Sequence, residues 1–234
     1  MDKQHVQLPN NMTVDSNLTP QDLLIYVAIK RYMNKDTKEA FPSLQTICVK
    51  SGASINTVRK CIANLEQAHY FTIIKAGRKN VYVFSDYKNF EPFSYDFLDK
   101  EDLTFTEKAY IIASQQYMYK DEPGIGKITL SSQDLSKRIN MPESTISKCN
   151  KSLTAKDYLS IVRCTKCDSE TGVAIQEKIF HLDELGQAVI WALHNHEQRI
   201  SNNEKTLDLA LKRISQLETE LSELKGQKLQ DVNL

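Results

Sequence analysis

One phrase of the sequence occurs twice, and this repeat constrains the fold more than any other feature. "SINTVRKCIANL" (Ser54–Leu65) returns 88 residues later as "PESTISKCNKSL" (Pro142–Leu153). Upstream, "LTPQDLLIYVAIKRYMNKD" (residues 18–36) aligns with "LTFTEKAYIIASQQYMYKD" (residues 103–121) at an offset of 85. The difference in offset falls near "DEPGIGK", a Gly/Pro-rich turn in which an insertion has a low free-energy cost. The repeat predicts two copies of one unit of about 70 residues.

Each copy contains signals for three helices and a β-hairpin in the same order. In the first copy, Thr19, Ser43 and Ser54 are the predicted N-caps, and Pro20 suits the first helical position. Gly52 is free to take positive φ in the tight turn before the third helix. The third helix carries an apolar stripe at helical spacing: Val58, Cys61, Ile62 and Leu65. "YFTIIK" and "VYVFS" follow, separated by "AGRKN", and indicate a hairpin.

Helix, helix, turn, helix, hairpin is the order of a winged helix-turn-helix module. The S-x-x-T-V-x-x-x-I-x-x-L pattern of Ser54–Leu65 resembles the recognition helices of that superfamily. The opening "LTPQDLLIYVAI…FPSLQTI" resembles the winged-helix modules of GntR-like regulators, DnaD-like primosome proteins, and phage or plasmid replication proteins. The resemblance covers residues 18–88 and, with fewer matches, residues 103–182. It implies DNA binding and a mainly α fold of the α+β class with small β-hairpin wings, and it leaves these families open.

The charge is unevenly distributed along a chain that is neutral as a whole. The 234 residues include 30 Lys+Arg and 30 Asp+Glu. Residues 18–88 hold eleven basic and five acidic residues (net +6), whereas residues 89–102 hold one and five (net −4). Residues 103–185 hold eleven of each. A basic first copy suits a polyanionic partner such as DNA.

These patterns divide the chain into six predicted segments. We expect two winged helix-turn-helix domains, an acidic linker between them, a coiled-coil helix after them, and a flexible segment at each end. The segments are 1–17 (flexible arm), 18–88 (first domain), 89–102 (acidic linker), 103–185 (second domain), 186–226 (coiled-coil helix) and 227–234 (flexible C-terminus).

The predicted DNA-contacting residues lie opposite the apolar stripe of each third helix and at the first hairpin tip. Asn pairs with adenine and Arg with guanine in the major groove, and Lys and Thr reach phosphates or base edges. In the first copy these residues are Ser54, Asn56, Thr57, Arg59, Lys60 and Asn64, with Arg78 and Lys79 at the wing tip. In the second copy they are Ser144, Thr145, Ser147, Lys148 and Lys151. The second copy also exposes Glu143 and replaces Ile62 by Asn150, so contact with DNA or with a partner protein stays open.

The cysteines and histidines do not indicate a metal site or an active site. Cys61 and Cys149 share one register of the repeat and point to the core, where a thiol behaves as a small hydrophobe. Cys164 and Cys167 form a single CxxC without a second one, so we interpret them as strand or turn thiols. The sequence contains no P-loop, HExxH or GxSxG pattern. No enzymatic activity, metal or cofactor is predicted.

The C-terminal segment has the pattern of a parallel coiled coil. Apolar residues recur every seven positions, and three charged g–e pairs (Arg199–Glu204, Arg213–Glu218 and Glu220–Lys225) are opposite in sign. The predicted oligomerisation residues are Leu193, Ile200, Leu207, Ile214, Leu217, Leu221 and Leu224. We favour a homodimer because DNA readers commonly pair half-sites. "RISQLE" (Arg213–Glu218) resembles the signature of trimeric coiled coils, so a trimer is the alternative.

No apolar run reaches the roughly 20 residues of a membrane span, and no secretory leader is evident, so a cytoplasmic protein is expected. The leading hypothesis is a sequence-specific double-stranded DNA-binding protein that regulates transcription, of phage or mobile-element type. The first alternative is a plasmid or phage replication initiator that binds origin repeats. The second alternative is a non-enzymatic interaction scaffold.

Overall fold

The computed structural model of the chain describes residues 5–15, 17–77, 79–87, 89–120, 124–167, 174–185 and 202–219. It is a mixture of helix and sheet. Its contacts divide the chain into two compact units, Met1–Trp191 and Ala192–Leu234. None of the helices in the described ranges is long and apolar enough to cross a membrane.

The first module, residues 18–87, contains three helices and a three-stranded antiparallel sheet. The elements are α1 (Pro20–Lys30), β2 (Glu39–Ala40), α2 (Leu44–Ser51), α3 (Ile55–Gln67), β3 (Phe71–Ala76) and β4 (Lys79–Phe84), after β1 (His5–Pro9). The predicted caps are confirmed: Ser43 accepts from the Thr46 N–H, Ser54 accepts from the Thr57 N–H, and Gly52 has a φ of 77°. The local sequence therefore fixes where α2 and α3 begin.

The second module, residues 103–185, repeats this arrangement. Its elements are α5 (Phe105–Ser114), β6 (Ile125–Ile128), α6 (Ser132–Ile139), α7 (Glu143–Ala155), β7 (Leu159–Cys167) and β8 (Ala174–His181), after β5 (Phe90–Ser94) and α4 (Tyr95–Leu98). The sheet orders correspond, β2-β4-β3 and β6-β8-β7. The hairpins have the same register at their base, because Phe71 pairs with Phe84 and Leu159 pairs with Phe180.

Left-handed residues occur at the same places in both modules. Gly52 and Asn140 end α2 and α6, while His69 (φ 61°) and Asp157 (φ 60°) follow α3 and α7. Each pair is separated by the 88 residues of the sequence repeat. Because a non-Gly residue rarely adopts positive φ, this agreement shows that the repeat is structural as well as sequential.

The first helix of each module is buried on all sides. The sequence predicts helical spacing for Leu23, Leu24, Val27 and Ala28, but the structure also buries the other residues of α1 apart from Gln21, and α5 is buried from Glu107 to Ser114. The reason is that α1 and α5 pack against each other as well as against their own modules. A helix that is apolar all round belongs in the interior. The core runs through both modules without a break.

Residues 5–13 and 90–98 are ordered and paired, which differs from the flexible arm and the linker that the sequence predicts. β1 pairs antiparallel with β5, with Gln7 opposite Pro92 at the centre. Val6 and Leu8 alternate with polar residues and are buried, as are Phe93 and Phe97. The apolar side chains of these two short segments join the common core, and this burial stabilises a strand pairing that neither segment predicts alone. We call this pair the β1–β5 ribbon.

Residues 202–219 form a helix whose side chains are all exposed. Three predicted oligomerisation residues lie in it, namely Leu207, Ile214 and Leu217, at 60%, 50% and 46% exposure. The other four, Leu193, Ile200, Leu221 and Leu224, lie outside the described residues. The described helix thus presents an exposed apolar row, and self-association stays a prediction.

Candidate nucleic-acid interface

The exposed face of α3 carries most of the residues predicted to contact DNA. Val58, Cys61, Ile62 and Leu65 are buried, as the helical spacing predicts. On the opposite face, Ser54, Asn56, Arg59 and Lys60 are exposed, and Thr57 is partly exposed. Ile55, which is 40% exposed, also lies in the first turn of α3. The helical spacing did not select it as a surface residue because isoleucine is usually found in the core. The buried stripe thus orients α3 so that its polar face points to solvent.

The N-terminal turn of α3 is held by a side-chain cap. Ser54 Oγ accepts from the Thr57 N–H at 3.2 Å, and the two hydroxyl oxygens lie 2.9 Å apart. The cap fixes the rotamers of both residues. The remaining N–H groups of the first turn and the helix dipole create a positive potential at this end, where an anion such as a phosphate binds favourably.

The cations near α3 are not neutralised within the described part of the chain. No carboxylate there forms an ion pair with Arg59, Lys60, Lys75 or Lys79. By contrast, Arg31 and Lys50 both bind Asp99, at 2.7 and 2.8 Å. The net positive charge of the first module is therefore partly balanced by the acidic segment, and the unbalanced part includes the exposed face of α3 and the hairpin.

Asn64 is partly exposed, and its side chain is held by a buried residue, which the sequence did not predict. Its side-chain N–H donates to Asp22 Oδ1 at 3.2 Å, and Asp22 is fully buried. Asp22 Oδ2 also accepts from the backbone N–H and the hydroxyl of Thr19, at 2.8 and 2.7 Å. Asn64 therefore anchors the C-terminal half of α3 to the start of α1, a contact that a helical wheel of α3 alone does not reveal.

The hairpin between β3 and β4 ends in an open turn. Gly77 has a φ of 62°, and nothing lies within 4 Å of the position that a Cβ would take. Lys79 is exposed at the start of β4, and Lys75, which the sequence argument did not select, is exposed near the end of β3. Arg78 lies outside the described residues. The two lysines place positive charge on the hairpin beyond the α3 face.

The second module exposes the predicted residues of α7 at the equivalent positions. Ser144, Ser147, Lys148 and Lys151 are exposed and Thr145 is partly exposed, with the acidic Glu143 beside them in the first turn. Pro142 is the N-cap and provides no side-chain hydrogen bond. This face therefore has two lysines and three hydroxyl groups, but no residue with the bidentate geometry of Asn or Arg.

Two buried contacts fix α7. Asn150 replaces the apolar Ile62 of α3, and its Oδ1 accepts from the Tyr110 hydroxyl at 2.8 Å. Lys156 Nζ lies 2.8 Å from Glu107 Oε2. Burial alone raises the pKa of Glu107, but hydrogen bonds from Lys156, Ser152 and Thr104 lower it below the ordinary value. Glu107 is therefore a charged anchor for α7, in the place where Asp22 anchors α3.

Two of the thiols in the described residues, those of Cys61 and Cys149, lie in the core. Cys48, Cys61 and Cys149 are free, and the last two are buried as predicted. Burial, with Asp22 adding to it, raises the pKa of Cys61, and burial with nearby Glu107 raises the pKa of Cys149 to about 11. A raised pKa suppresses the reactive thiolate. The side chains of Cys164 and Cys167 are outside the description, and the side chains that are described form no cluster able to hold a metal ion.

Comparison with known families identifies a domain in the first module. Residues 16–70 match the family model described as helix-turn-helix domain. The match spans α1, α2 and α3 and ends at the start of the hairpin. No curated protein sequence matches the chain. The helix-turn-helix match supports a DNA-binding protein with DNA as a partner, and it falls on the module whose third helix has the exposed basic face.

Proposed function

We propose that the protein is a sequence-specific double-stranded DNA-binding protein with two winged helix-turn-helix modules, which regulates transcription. One observation carries the proposal. α3, within the helix-turn-helix match, is anchored on its buried side and presents Asn56, Arg59 and Lys60 to solvent with no carboxylate partner in the described chain. This is the arrangement that a helix needs to enter the major groove.

The proposed roles follow from the chemistry of each side chain. Arg59 suits a bidentate contact with O6 and N7 of guanine, and Asn56 suits N6 and N7 of adenine. Lys60 and the N-terminal turn of α3, capped by Ser54 and Thr57, suit phosphates. Lys75, Lys79 and the neighbouring Arg78 suit the backbone of the adjacent groove. Asn64 is removed from this set because it binds Asp22.

The second module has a weaker proposed role in DNA binding. Lys148 and Lys151 supply charge for phosphates, while the serine hydroxyls of α7 donate or accept single hydrogen bonds. Glu143 repels phosphate unless it accepts from a cytosine amino group. A role in binding a partner protein is the competing proposal for this face, and an α7 variant with unchanged DNA affinity favours it.

A replication initiator that binds origin repeats is the second candidate function. The observation that favours it is the close packing of both modules through α1 and α5, which makes one chain a two-module reader. Chromatin immunoprecipitation of the tagged protein separates the two candidates. Sites at promoters support the regulator, whereas one cluster of repeated sites at an origin supports the initiator.

Fluorescence anisotropy with random-sequence duplexes tests DNA binding itself. At low salt we expect the full chain to bind any duplex, and the affinity to fall linearly on a log–log plot as salt rises, because phosphate contacts release counterions. A selected duplex is expected to bind more tightly than random sequence at physiological salt. If the chain binds no duplex at low salt, DNA binding is rejected and the scaffold hypothesis is favoured.

The exposed row in residues 202–219 supports a proposed coiled-coil oligomer, dimeric by preference and trimeric as the alternative. Burying an aliphatic side chain contributes roughly 1.5–3 kcal/mol, so a few such layers hold two chains together. Sedimentation of the full chain and of a Leu207→Lys, Ile214→Lys variant tests this proposal. The variant is expected to sediment with fewer chains per particle than the wild type. If the two have the same mass, this helix is not the oligomerisation element.

A further inference from the structure

The two modules, together with the strand that precedes each of them, contact each other through equivalent parts of the repeat. The β1–β5 ribbon is the first of these contacts. At the offset of 85 residues that relates α1 to α5, His5–Pro9 corresponds to Phe90–Ser94, and the turn Asn10–Thr13 corresponds to Tyr95–Leu98. In each copy the structure has a five-residue strand followed by a four-residue helical turn, which is 3-10 in the first copy and α in the second. The repeat therefore begins near residue 5, in segments whose sequences show no likeness.

The pairing within the ribbon is symmetric about its middle residues. Gln7 pairs with Pro92, which is its own equivalent, at the centre of both strands. The pair His5–Ser94 corresponds, on exchange of the two copies, to Pro9–Phe90 at the other end. The structure contains both pairs. An antiparallel pair of equivalent strands with this register has a local two-fold axis through its centre.

The contacts between the helical parts are reciprocal in the same way. α1 packs against its own equivalent, α5. A Cβ at Gly52, which ends α2, would lie 3.8 Å from Phe105 at the start of α5. Its equivalent Asn140, which ends α6, donates to the Leu18 carbonyl at 3.3 Å, just before α1. The equivalent of Phe105 is Pro20, so the two contacts correspond to within two residues. A surface that meets its own equivalent, with residue i touching j′ and i′ touching j, is the mark of a two-fold interface.

From these contacts we infer that one chain is an intramolecular pseudo-dimer, which reads an inverted pair of non-identical DNA half-sites. A two-fold axis through the ribbon and the α1–α5 contact exchanges α3 with α7. When both helices occupy one duplex, that axis coincides with a dyad of the DNA, and the half-sites run in opposite directions. The half-sites differ because α3 and α7 expose different residues. This inference rests on the proposed DNA binding.

The inference separates this chain from a simple homodimeric reader. In a homodimer each half-site meets the same recognition helix, so the operator is palindromic. Here one half is read by Asn56 and Arg59, and the other meets Ser144 and Ser147. The expected site is an inverted repeat with one strongly specified half and one weakly specified half.

Selection of bound duplexes from a random library by the full chain, at moderate salt, gives the probe for the test. The selected site is then rebuilt in three versions: the selected arrangement, one half-site reversed so that the two run in the same direction, and one half-site scrambled. We expect the selected arrangement to be an inverted repeat. We also expect it to bind at least about tenfold more tightly than the reversed and scrambled versions, because a second contact in the same complex acts at high effective concentration. Equal affinity of the reversed and selected versions overturns the inference.

Selection with Arg59→Ala and Ser147→Ala, which change equivalent positions of α3 and α7, identifies which helix meets which half. We expect Arg59→Ala to relax base preference in one half-site only, with about 5- to 150-fold weaker binding, and Ser147→Ala to affect only the other half. If Arg59→Ala relaxes base preference in both half-sites equally, each half-site is bound by α3 of a different chain. The two-fold axis that coincides with the DNA dyad then lies between two chains. That outcome overturns the inference but leaves the proposed function intact, whereas failure to bind any duplex rejects both.

Discussion

α3 and α7 have the same frame but different exposed faces. Both helices run for thirteen residues, bury an apolar stripe with a cysteine in the same register, and are followed by a left-handed residue. Among the polar residues at the centre of the exposed face, two positions agree and two differ. Thr57 and Lys60 match Thr145 and Lys148, whereas Asn56 and Arg59 are replaced by Ser144 and Ser147.

The difference between the two helices separates two kinds of DNA contact. Lysine is a point charge that binds phosphate in any sequence, so the matching lysines suit a shared task of neutralising the backbone. Asn and Arg form paired hydrogen bonds to single bases, and serine does not. We therefore expect α3 to specify the site and α7 to add affinity with less discrimination. The following variants test this division.

The largest expected effect is the loss of base reading by α3. Arg59→Ala or Asn56→Ala is expected to weaken binding to the selected site by roughly 1–3 kcal/mol and to relax preference at one or two base pairs. Binding to random duplex is expected to change less. Anisotropy titrations on both duplexes measure the difference.

Gln67→Ala is the matched control for the variants in α3. Gln67 is exposed at the C-terminal end of the same helix, and its equivalent in α7 is Ala155. Neither residue takes part in the proposed contacts, so this variant is expected to bind as the wild type does. If Asn56→Ala and Arg59→Ala keep both the affinity and the base preference of the wild type, α3 is not the reading helix.

Placing a core residue of the first module at the equivalent position of the second module is expected to destabilise the fold. Asn150→Ile copies Ile62 but leaves the buried Tyr110 hydroxyl without its acceptor, which is expected to cost about 1–3 kcal/mol in the free energy of unfolding. Adding Tyr110→Phe removes the hydroxyl as well. The free energy of unfolding of the double variant is expected to lie within about 1 kcal/mol of the wild-type value. Denaturant unfolding of the full chain measures all three proteins. Costs that simply add would show that the hydrogen bond between Asn150 and Tyr110 does not couple the two residues.

A smaller effect is expected from the matched lysines. Lys60→Ala and Lys148→Ala are each expected to lower the slope of log affinity against log salt by about one and to weaken specific and random duplexes alike. Titrations at several salt concentrations give the slopes. If Lys60→Ala lowers the salt slope and Lys148→Ala does not, Lys148 does not contact phosphate, and the two lysines do not share this role.

The smallest expected effect concerns Asp99, which joins the acidic segment to the first module. Hydrogen bonds from Arg31, and after it Lys50, hold the pKa of Asp99 at about 2 despite partial burial. Because the folded-state pKa lies below the unfolded value, Asp99 contributes stability above about pH 4, and this contribution is lost as the pH falls toward 2. The contribution is expected to be below about 1 kcal/mol, since Asp99 is 39% exposed.

Asp99→Asn is expected to remove this part of the acid dependence. Thermal unfolding at pH 7 and at pH 3 measures it, and the stability difference between wild type and variant is expected to shrink at the lower pH. A difference that stays constant between the two pH values contradicts the assigned role of the carboxylate.

The sequence predicted the parts of the fold that depend on local signals. The caps at Ser43 and Ser54, the positive φ of Gly52 and the buried stripe of α3 each need only a few neighbouring residues, and all are confirmed. In the candidate site the exposed positions of Asn56 and Arg59 follow from the same stripe.

The missed features depend on contacts between distant segments. β1 and β5 pair across 85 residues, and their prolines and acidic neighbours are typical of a linker. The burial of α1 on every side requires α5, and the hydrogen bond that holds Asn64 requires Asp22. Lys75 was missed because it lies in a strand-like apolar run, and only the hairpin geometry exposes it.

Protection of guanine N7 from methylation tests most directly whether α3 lies in the major groove of DNA. On the selected duplex, the wild-type chain is expected to protect at least one guanine N7, which faces the major groove. Arg59→Ala is expected to lose protection at that guanine while Lys60→Ala keeps the wild-type pattern. An Arg59→Ala pattern identical to the wild type, or binding without protection of any N7, contradicts the placement of α3 in the groove.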